Sequence, residues 1–193
     1  MTRIIGIAGS LRQGSYNVAL LRNAAELAPA GCTLEIATIK DIPLYDGDLE
    51  ARNGIPVPVA ALKDRVAAAD GLLLVTPEYN HSIPGVFKNA VDWMTRPASD
   101  IARVFGAKPV GLIGATPGGM GTTFSQTAWL PVLRTLGTRP FFGKTLYVSG
   151  AAKVFDPQGQ LTDQDLRERL RVYMEQFAAF VAGARATSKP TQG

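Results

Sequence analysis

The sequence contains very few of the residues that build metal centres and disulfides. Its 193 residues include one cysteine, Cys32, and one histidine, His81. A single cysteine cannot form an intrachain disulfide or a four-cysteine metal or iron–sulfur site, and one histidine without paired cysteines is a poor metal ligand. We therefore expect no metal centre, and a reduced, cytoplasmic setting.

Long apolar runs and runs of like charge are also missing. No segment approaches the roughly 18 apolar residues of a membrane span, and apolar residues 3–9 are short for a signal sequence. The 20 Lys and Arg residues against 16 Asp and Glu residues give a net charge of +4. This mild excess does not indicate a nucleic-acid groove. We expect neither a membrane nor a nucleic acid as a partner.

What is present is an alternation of apolar strand patterns and helix patterns along the whole chain. It predicts one domain over residues 1–183 and a disordered polar tail over residues 184–193. Proline, glycine and asparagine predict an irregular stretch over residues 39–58. Pro131 is expected to kink or split the helix that contains it. The predicted strands are residues 4–8, 33–38, 71–75, 110–115 and 145–148. Two helices are predicted at residues 16–27 and 60–69. Three more are predicted, one that starts near Pro84, one that ends near Leu136 and one that is capped at residues 162–165.

Buried strands joined by crossover helices predict an α/β fold, a doubly wound five-stranded parallel sheet with helices on both faces. The strand order 2-1-3-4-5 places the switch point between the first and third strands. The loops after the first, third and fourth strands are the unusual ones in this chain. Because the carboxyl ends of parallel strands lie at one edge of the sheet, we expect these loops to meet in one crevice.

The first loop, residues 9–17, precedes a helix and is suited to bind a phosphate. Backbone amides at a helix start attract anions, Ser10, Ser15 and Asn17 add hydrogen bonds, and Arg12 adds a positive charge. The dinucleotide fingerprint Gly-x-Gly-x-x-Gly is absent, so a monophosphate fits better. The alternative is an ordinary capped turn, since serine and asparagine are favoured at any helix start.

The other two loops are suited to a planar heteroaromatic ligand. Residues 77–82 offer Tyr79 as a flat apolar surface and Asn80 and Ser82 as hydrogen-bonding groups. The glycine-rich residues 116–121 let the backbone approach a flat ligand closely. The alternative for residues 77–82 is an apolar surface with a turn that Asn80 stabilises. The alternative for residues 116–121 is a flexible glycine turn.

The second loop and the helix after it also resemble a known family. The resemblance to the NADPH-dependent FMN reductases of the flavodoxin-like group, which includes quinone and chromate reductases, rests on Pro77-Glu78-Tyr79-Asn80, Ser82, Pro84-Gly85, Lys88-Asn89-Ala90 and Asp92-Trp93. Gly9-Ser10-Leu11-Arg12, with Ser15 and Asn17, is similar to the phosphate-binding loop of that family.

The resemblance implies a flavodoxin-like domain that binds FMN and takes hydride from NADPH or NADH. The small acceptor is a quinone, chromate, an azo compound or free flavin, and the kinetics are ping-pong. Chemistry takes place on the flavin, so no catalytic side chain is expected. The implied FMN contacts are Ser10, Arg12, Ser15, Asn17, Pro77, Glu78, Tyr79, Asn80, Ser82, Thr116, Pro117, Gly118 and Gly119.

Two questions stay open at this point. A flavodoxin-like electron carrier, which does not oxidise NAD(P)H, is the alternative function, although the charge of +4 argues against docking on basic partners. A homodimer or homotetramer is expected because Phe87, Trp93 and Met94 point in more than one direction from their helix. Alternatively, Trp93 fills the edge of the core.

Overall fold

The computed structural model describes residues 1–187, in which strands and helices alternate along the chain. The strands are β1 (Thr2–Ala8), β2 (Cys32–Ala37), β3 (Gly71–Val75), β4 (Pro109–Ala115), β5 (Arg139–Pro140) and β6 (Tyr147–Val148). The α-helices are α1 (Tyr16–Glu26), α2 (Gly47–Asn53), α3 (Val57–Ala68), α4 (Gly85–Met94), α5 (Ile101–Phe105), α6 (Thr123–Thr135) and α7 (Gln164–Thr187). Short 3₁₀ turns lie at Ala98–Asp100 and Ala151–Lys153.

The strands form one parallel sheet in the order β2-β1-β3-β4-β5, which confirms the predicted strand order. Two separate apolar cores cover its faces. On one face, Leu20 of α1 and Phe177 of α7 are fully buried against the sheet. On the other, α3, α4, α5 and α6 contribute fully buried side chains such as Phe87 and Trp129. The sheet is therefore doubly wound, as predicted.

The edge of the sheet beside β4 differs from the prediction. Instead of one strand at residues 145–148, two short strands pair with opposite ends of β4, so the sheet has six strands. The first of them ends where the N–H of Phe141 donates to the carbonyl of Val110 at 2.8 Å. The chain then leaves the edge, and the ring of Phe141 packs 5.5 Å from that of Tyr173. Pairing resumes only at Tyr147.

Several helix boundaries also differ from the sequence predictions. Helix α2 lies inside the stretch expected to be irregular, and Asp46 caps it by accepting a hydrogen bond from the N–H of Asp48 at 2.8 Å. Helix α6 is not split at Pro131, since one proline removes only one internal hydrogen bond. Helix α7 runs to Thr187, so residues 184–187 of the predicted tail are helical. The remaining tail residues, 188–193, lie outside the described residues.

The bulky side chains of α4 are buried within this chain. Phe87, Trp93 and Met94 are all 0% exposed. The Nε1–H of Trp93 donates to the carbonyl of Pro43 at 2.8 Å, and the ring of Tyr45 packs edge-on at 4.9 Å. The segment before α2 therefore covers the second apolar direction of α4, and these residues provide no surface for a subunit contact. In the described part of the chain, no helix is long and apolar enough to cross a membrane.

Candidate functional site

The loops that follow β1, β3 and β4 meet at the carboxyl edge of the sheet around an open cleft. The cleft has a volume of about 380 Å³, within the range of roughly 300–1,000 Å³ found for ligand and cofactor sites. Its lining residues are Ser10, Arg12, Ser15, Tyr16, Asn17, Pro77, Glu78, Tyr79, Ala115, Thr116 and Pro117. Most predicted site residues are therefore brought together. The predicted residues Asn80, Ser82, Gly118 and Gly119 do not line this cleft.

The first loop carries an unusual number of unpaired backbone donors. Ser15 caps α1, its hydroxyl accepting from the N–H of Val18 at 3.4 Å. Among the described residues, no acceptor faces the backbone N–H groups of Ser10, Leu11, Gln13, Gly14, Ser15, Tyr16 and Asn17. Because unpaired N–H groups at a helix start attract anions, this loop is suited to hold a phosphate.

Side chains of the first loop also hold its shape. The hydroxyl of Ser10 accepts from the backbone N–H of Arg12 at 3.3 Å. The guanidinium of Arg12 donates to the carbonyl of Gly14 and lies 5.4 Å from the ring centroid of Tyr16. The positive charge of Arg12 therefore stays beside the unpaired N–H groups, where it adds to their attraction for an anion.

Asn17 has a structural role that the sequence analysis did not foresee. Its Nδ2 donates to the carbonyl of Ala115 at 2.8 Å, and its Oδ1 accepts from the N–H of Ala115 at 2.9 Å. The side chain is buried and joins the start of α1 to the end of β4. One N–H of the amide is left over, so any contact of Asn17 with a phosphate is additional to this structural role.

The second loop contains a tight two-residue turn. Tyr79 and Ser82 exchange both backbone hydrogen bonds, at 3.2 and 3.0 Å, and Asn80 and His81 between them have φ values of 51° and 60°. Asparagine tolerates this left-handed conformation better than most residues. Asn80 therefore stabilises the turn. The backbone N–H of Tyr79 is already paired with Ser82, so it is not available to a ligand.

The carboxylate of Glu78 connects the second loop to α6. Glu78 Oε2 accepts from the backbone N–H of Ser125 in the first turn of that helix at 3.1 Å, and Glu78 Oε1 lies 3.6 Å from Nδ1 of His81. A negative charge at a helix amino terminus is stabilising. Sequence reasoning missed this contact because Ser125 is 47 positions further along the chain. The residue at the helix cap, Thr122, has a left-handed backbone and makes no side-chain capping hydrogen bond.

A buried hydrogen-bond cluster lies beneath the second loop. The Nε1–H of Trp129 donates to the hydroxyl of Thr76 at 3.1 Å, and the hydroxyls of Thr76 and Ser125 lie 2.8 Å apart. All three side chains are fully buried. The end of β3 and the start of α6 are therefore joined directly below the cleft, which makes the second loop a fixed wall of the site.

The third loop is attached to the chain after β6. The carbonyl of Thr116 accepts from the N–H of Ala151 at 3.0 Å, and the carbonyl of Gly118 accepts from the N–H of Gly150 at 3.1 Å. Gly121 is required where it stands, since its φ is +59° and an added Cβ would lie 2.7 Å from Cβ of Tyr147. An added Cβ at Gly119 would meet no atom within 4 Å, and Gly119 is not among the residues that line the cleft.

Comparison with known protein families agrees with this arrangement. The sequence profile of the NADPH-dependent FMN reductases matches residues 2–153, which include β1, β3, β4 and all three loops of the cleft. The chain belongs to this family. As an FMN reductase it is an oxidoreductase enzyme, with FMN and NAD(P)H as its cofactors.

Relatives of this reductase match almost its entire length. A NAD(P)H-dependent FMN reductase of Pseudomonas aeruginosa is 40% identical over 93% of this chain and 95% of its own length. A 2-hydroxy-1,4-benzoquinone reductase of a Burkholderia species is 36% identical over 95% of this chain and 98% of its own length. Among solved structures, the flavoenzyme NAD(P)H:acceptor oxidoreductase FerB of Paracoccus denitrificans aligns with a TM-score of 0.85 and 32% identity, over 95% of this chain and 99% of its own.

Proposed function

We propose that this reductase binds FMN in the cleft, oxidises NAD(P)H there and passes the electrons to a small acceptor, with a quinone the favoured class. The observation that carries the proposal is the set of unpaired N–H groups beside Arg12 at one end of the cleft. The quinone follows from the names of the relatives, which include quinone reductases of Escherichia coli and Pseudomonas putida. An electron carrier without NAD(P)H oxidation is disfavoured, because the curated relatives named above are reductases.

The FMN phosphate would lie at the start of α1. There the unpaired backbone N–H groups and the hydroxyls of Ser10 and Ser15 donate to it, Arg12 supplies a positive charge, and Asn17 has one N–H left to donate. A dianionic phosphate needs many donors, and the unpaired backbone N–H groups of this loop have no other acceptor among the described residues. The residues present therefore fit the group that the family uses.

The isoalloxazine ring would extend from the phosphate along the other two loops. Tyr79, 54% exposed, is a flat surface at the cleft, and the backbone N–H groups of Glu78 and Asn80 have no acceptor among the described residues. Pro77, Ser82, Thr116, Pro117, Gly118 and Gly119 complete the proposed ring contacts. Residues 1–183 would form this FMN-binding domain.

When bound, FMN supplies the redox chemistry, accepting hydride from NAD(P)H and returning electrons to the acceptor. The chain contributes binding and orientation, and no side chain is needed as acid or base. The nicotinamide and the acceptor would use the same face of the flavin in turn, so the oxidised nucleotide leaves before the acceptor enters. This exchange predicts ping-pong kinetics.

An absorption spectrum of the purified protein, followed by NADH and NADPH oxidation with and without added FMN and benzoquinone, tests the proposal. We expect a flavin spectrum, or FMN-dependent activity, and parallel lines in double-reciprocal plots. A protein that binds FMN without oxidising either nucleotide would be an electron carrier and would contradict the proposal.

The phosphate site is tested separately by Arg12→Ala combined with Ser15→Ala. Each lost charge-assisted hydrogen bond costs roughly 1.5–3 kcal/mol, so the affinity for FMN should fall about tenfold or more. Arg134→Ala, at an exposed arginine of α6 far from the cleft, serves as the control. Unchanged FMN affinity in a folded double variant would remove the phosphate from this loop.

The predicted homodimer or homotetramer stays part of the proposal, although Trp93 no longer supports it. The large apolar side chains that stay exposed include Tyr79 beside the cleft and Phe124 at the start of α6. Light scattering of the FMN-loaded protein at micromolar concentration measures the assembly, and a monomeric mass with full activity would reject it.

A further inference from the structure

A second, larger depression lies directly behind the phosphate loop. It has a volume of about 510 Å³ and runs along one face of α1. Its opposite wall is formed by residues 152–159, which follow β6. Ser15 and Tyr16 line both this depression and the cleft, so the two spaces adjoin. A long ligand whose one end lies in the cleft therefore reaches this depression without crossing another part of the protein.

The wall of the depression is held rigidly against α1. The buried side chain of Asn23 donates to the carbonyl of Gly159 at 2.8 Å and accepts from the N–H of Leu161 at 3.2 Å. The ring of Phe155 stacks on that of Tyr16, with centroids 6.0 Å apart and planes inclined by 22°. The depression is consequently preformed, as sites for small ligands usually are.

An unpaired positive charge lies in the depression. Arg22 lines it and is exposed, and none of the residues that the structure describes provides it with a carboxylate or any other acceptor. The one acid in the lining, Asp156, uses its Oδ1 to accept from the N–H groups of Gln158 and Gln160 at 2.9 and 2.8 Å. The guanidinium of Arg22 is therefore free to bind an anion.

The position of Arg22 indicates which anion it would bind. It lies seven residues beyond the helix cap Ser15, and at about 1.5 Å per residue this places it about 10 Å further along α1. The phosphate of FMN and the pyrophosphate of a dinucleotide would lie nearer the cleft, beside Arg12 and the unpaired N–H groups. A phosphate at Arg22 has to be more distant from the nicotinamide, and the 2′-phosphate of NADPH is such a group.

We propose that this depression binds the adenosine end of NADPH and that Arg22 pairs with its 2′-phosphate, which makes Arg22 a specificity residue for NADPH over NADH. The inference rests on the proposed function, in which the nicotinamide enters the neighbouring cleft. Arginine is suited to the role because its planar guanidinium binds a phosphate through two parallel hydrogen bonds.

Calorimetry on the FMN-loaded protein tests the site without catalysis. Adenosine 2′,5′-bisphosphate should bind about tenfold or more tightly than adenosine 5′-monophosphate, the ratio expected for a charge-assisted pair. Arg22→Gln should abolish this preference, whereas Arg134→Gln, the matched exposed arginine, should keep it. Equal affinity of the two nucleotides for the unmodified protein would overturn the proposal.

Steady-state kinetics provide the second readout. In Arg22→Gln the KM for NADPH should rise about tenfold more than the KM for NADH, because only NADPH loses a charge-assisted pair. Equal increases for both nucleotides would place the pyrophosphate at Arg22 and overturn the assignment. If the unmodified protein oxidises neither nucleotide, the proposed function fails, and calorimetry still decides whether the depression binds the bisphosphate.

A second substitution makes the test independent of Arg22. Ala152 is exposed in the lining, so Ala152→Glu adds a negative charge to the depression without disturbing the core. It should weaken the bisphosphate more than the monophosphate, since the extra phosphate is repelled. Unchanged affinity for both in this variant would show that neither nucleotide occupies the depression.

Discussion

At the scale of single residues, the polar side chains around the cleft often have two functions. Glu78 belongs to the loop that resembles the family signature, and its carboxylate also stabilises the start of α6 through the N–H of Ser125. Asn17 belongs to the phosphate loop, and its amide also connects that loop to Ala115. A substitution at such a residue changes both ligand binding and stability, and the two effects have to be measured separately.

We predict that Asn17→Ala destabilises the protein even without FMN. It leaves the buried N–H and C=O of Ala115 without partners, and each unsatisfied buried group costs about 1–3 kcal/mol. Urea unfolding of the FMN-free protein measures the change, with Asn53→Ala at an exposed position of α2 as the control. An FMN-free stability equal to that of the unmodified protein would mean that Asn17 serves only the ligand.

Glycine residues of the phosphate loop provide a second prediction at this scale. A Cβ at Gly9 would lie 2.1 Å from the ring of Phe87, while a Cβ at Gly14 meets no atom within 4 Å. Phe87 is fully buried against Trp129 and has no room to move. Gly9→Ala should therefore cost about 1–3 kcal/mol of stability, the usual cost of overpacking.

The matched substitution Gly14→Ala in the same loop should change the unfolding free energy by less than about 0.5 kcal/mol. Chemical denaturation of the two FMN-free variants compares them directly. Similar losses in both would show that the loop, rather than the contact with Phe87, is sensitive to substitution.

At the scale of secondary-structure elements, ion pairs connect the helices on one face of the sheet. Lys63 of α3 is almost fully buried, donates to the carbonyl of Arg96 and lies 2.6 Å from Oδ2 of Asp100. Arg103 of α5 lies 3.0 Å from the same oxygen. Asp100 therefore joins α3 to α5 at a distance from the cleft, and it serves the fold rather than the chemistry.

This cluster of ion pairs predicts how the stability of the folded protein depends on pH. The hydrogen bonds from Arg103 and Lys63 lower the pKa of Asp100 from 3.8 to about 2. A carboxyl whose pKa is lower in the folded protein contributes stability above its unfolded pKa, and loses it as the pH falls through the folded value. Asp100→Asn should thus lower the melting temperature at pH 5, and the difference should shrink between pH 4 and pH 2, near the pKa of about 2.

Melting curves of both proteins at pH 5, 4, 3 and 2 test this expectation. A difference that stays constant over the whole pH range would show that the charge of Asp100 does not contribute to stability.

At the scale of the whole molecule, the three loops form one site only when the sheet is complete. FMN would contact loops after β1, β3 and β4 at once, so it binds the folded state and not the unfolded chain. At about 100 times its dissociation constant, such a ligand adds about 2.7 kcal/mol of stability. For a chain of this length we expect a rise in melting temperature of about 5–10 °C.

Differential scanning fluorimetry with and without FMN measures this rise, and riboflavin, which lacks the phosphate, is the control ligand. The rise should be much smaller with riboflavin and in the Arg12→Ala, Ser15→Ala double variant. An equal rise with riboflavin would show that the phosphate loop does not contribute to binding.

The sequence by itself determined the strand order, the face-covering helices and the three loops at the carboxyl edge. These follow from local signals: apolar runs of strand length, helix starts at Ser15 and Pro84, and the fact that parallel strands end together. The family followed from the residues of two loops. In each case the information lies within a few neighbouring residues or in the order of elements, which a sequence displays directly.

Only the tertiary structure decided which groups are already paired. The amide of Asn17 bonds to Ala115, 98 positions away, and the carboxylate of Glu78 to Ser125, 47 positions away. The burial of Trp93 depends on a contact with Pro43, which is distant in the sequence. The pairing of the two short strands with β4 depends on distant contacts as well. Hydrogen bonds and packing between distant residues form only in the folded chain, so composition and periodicity contain no record of them.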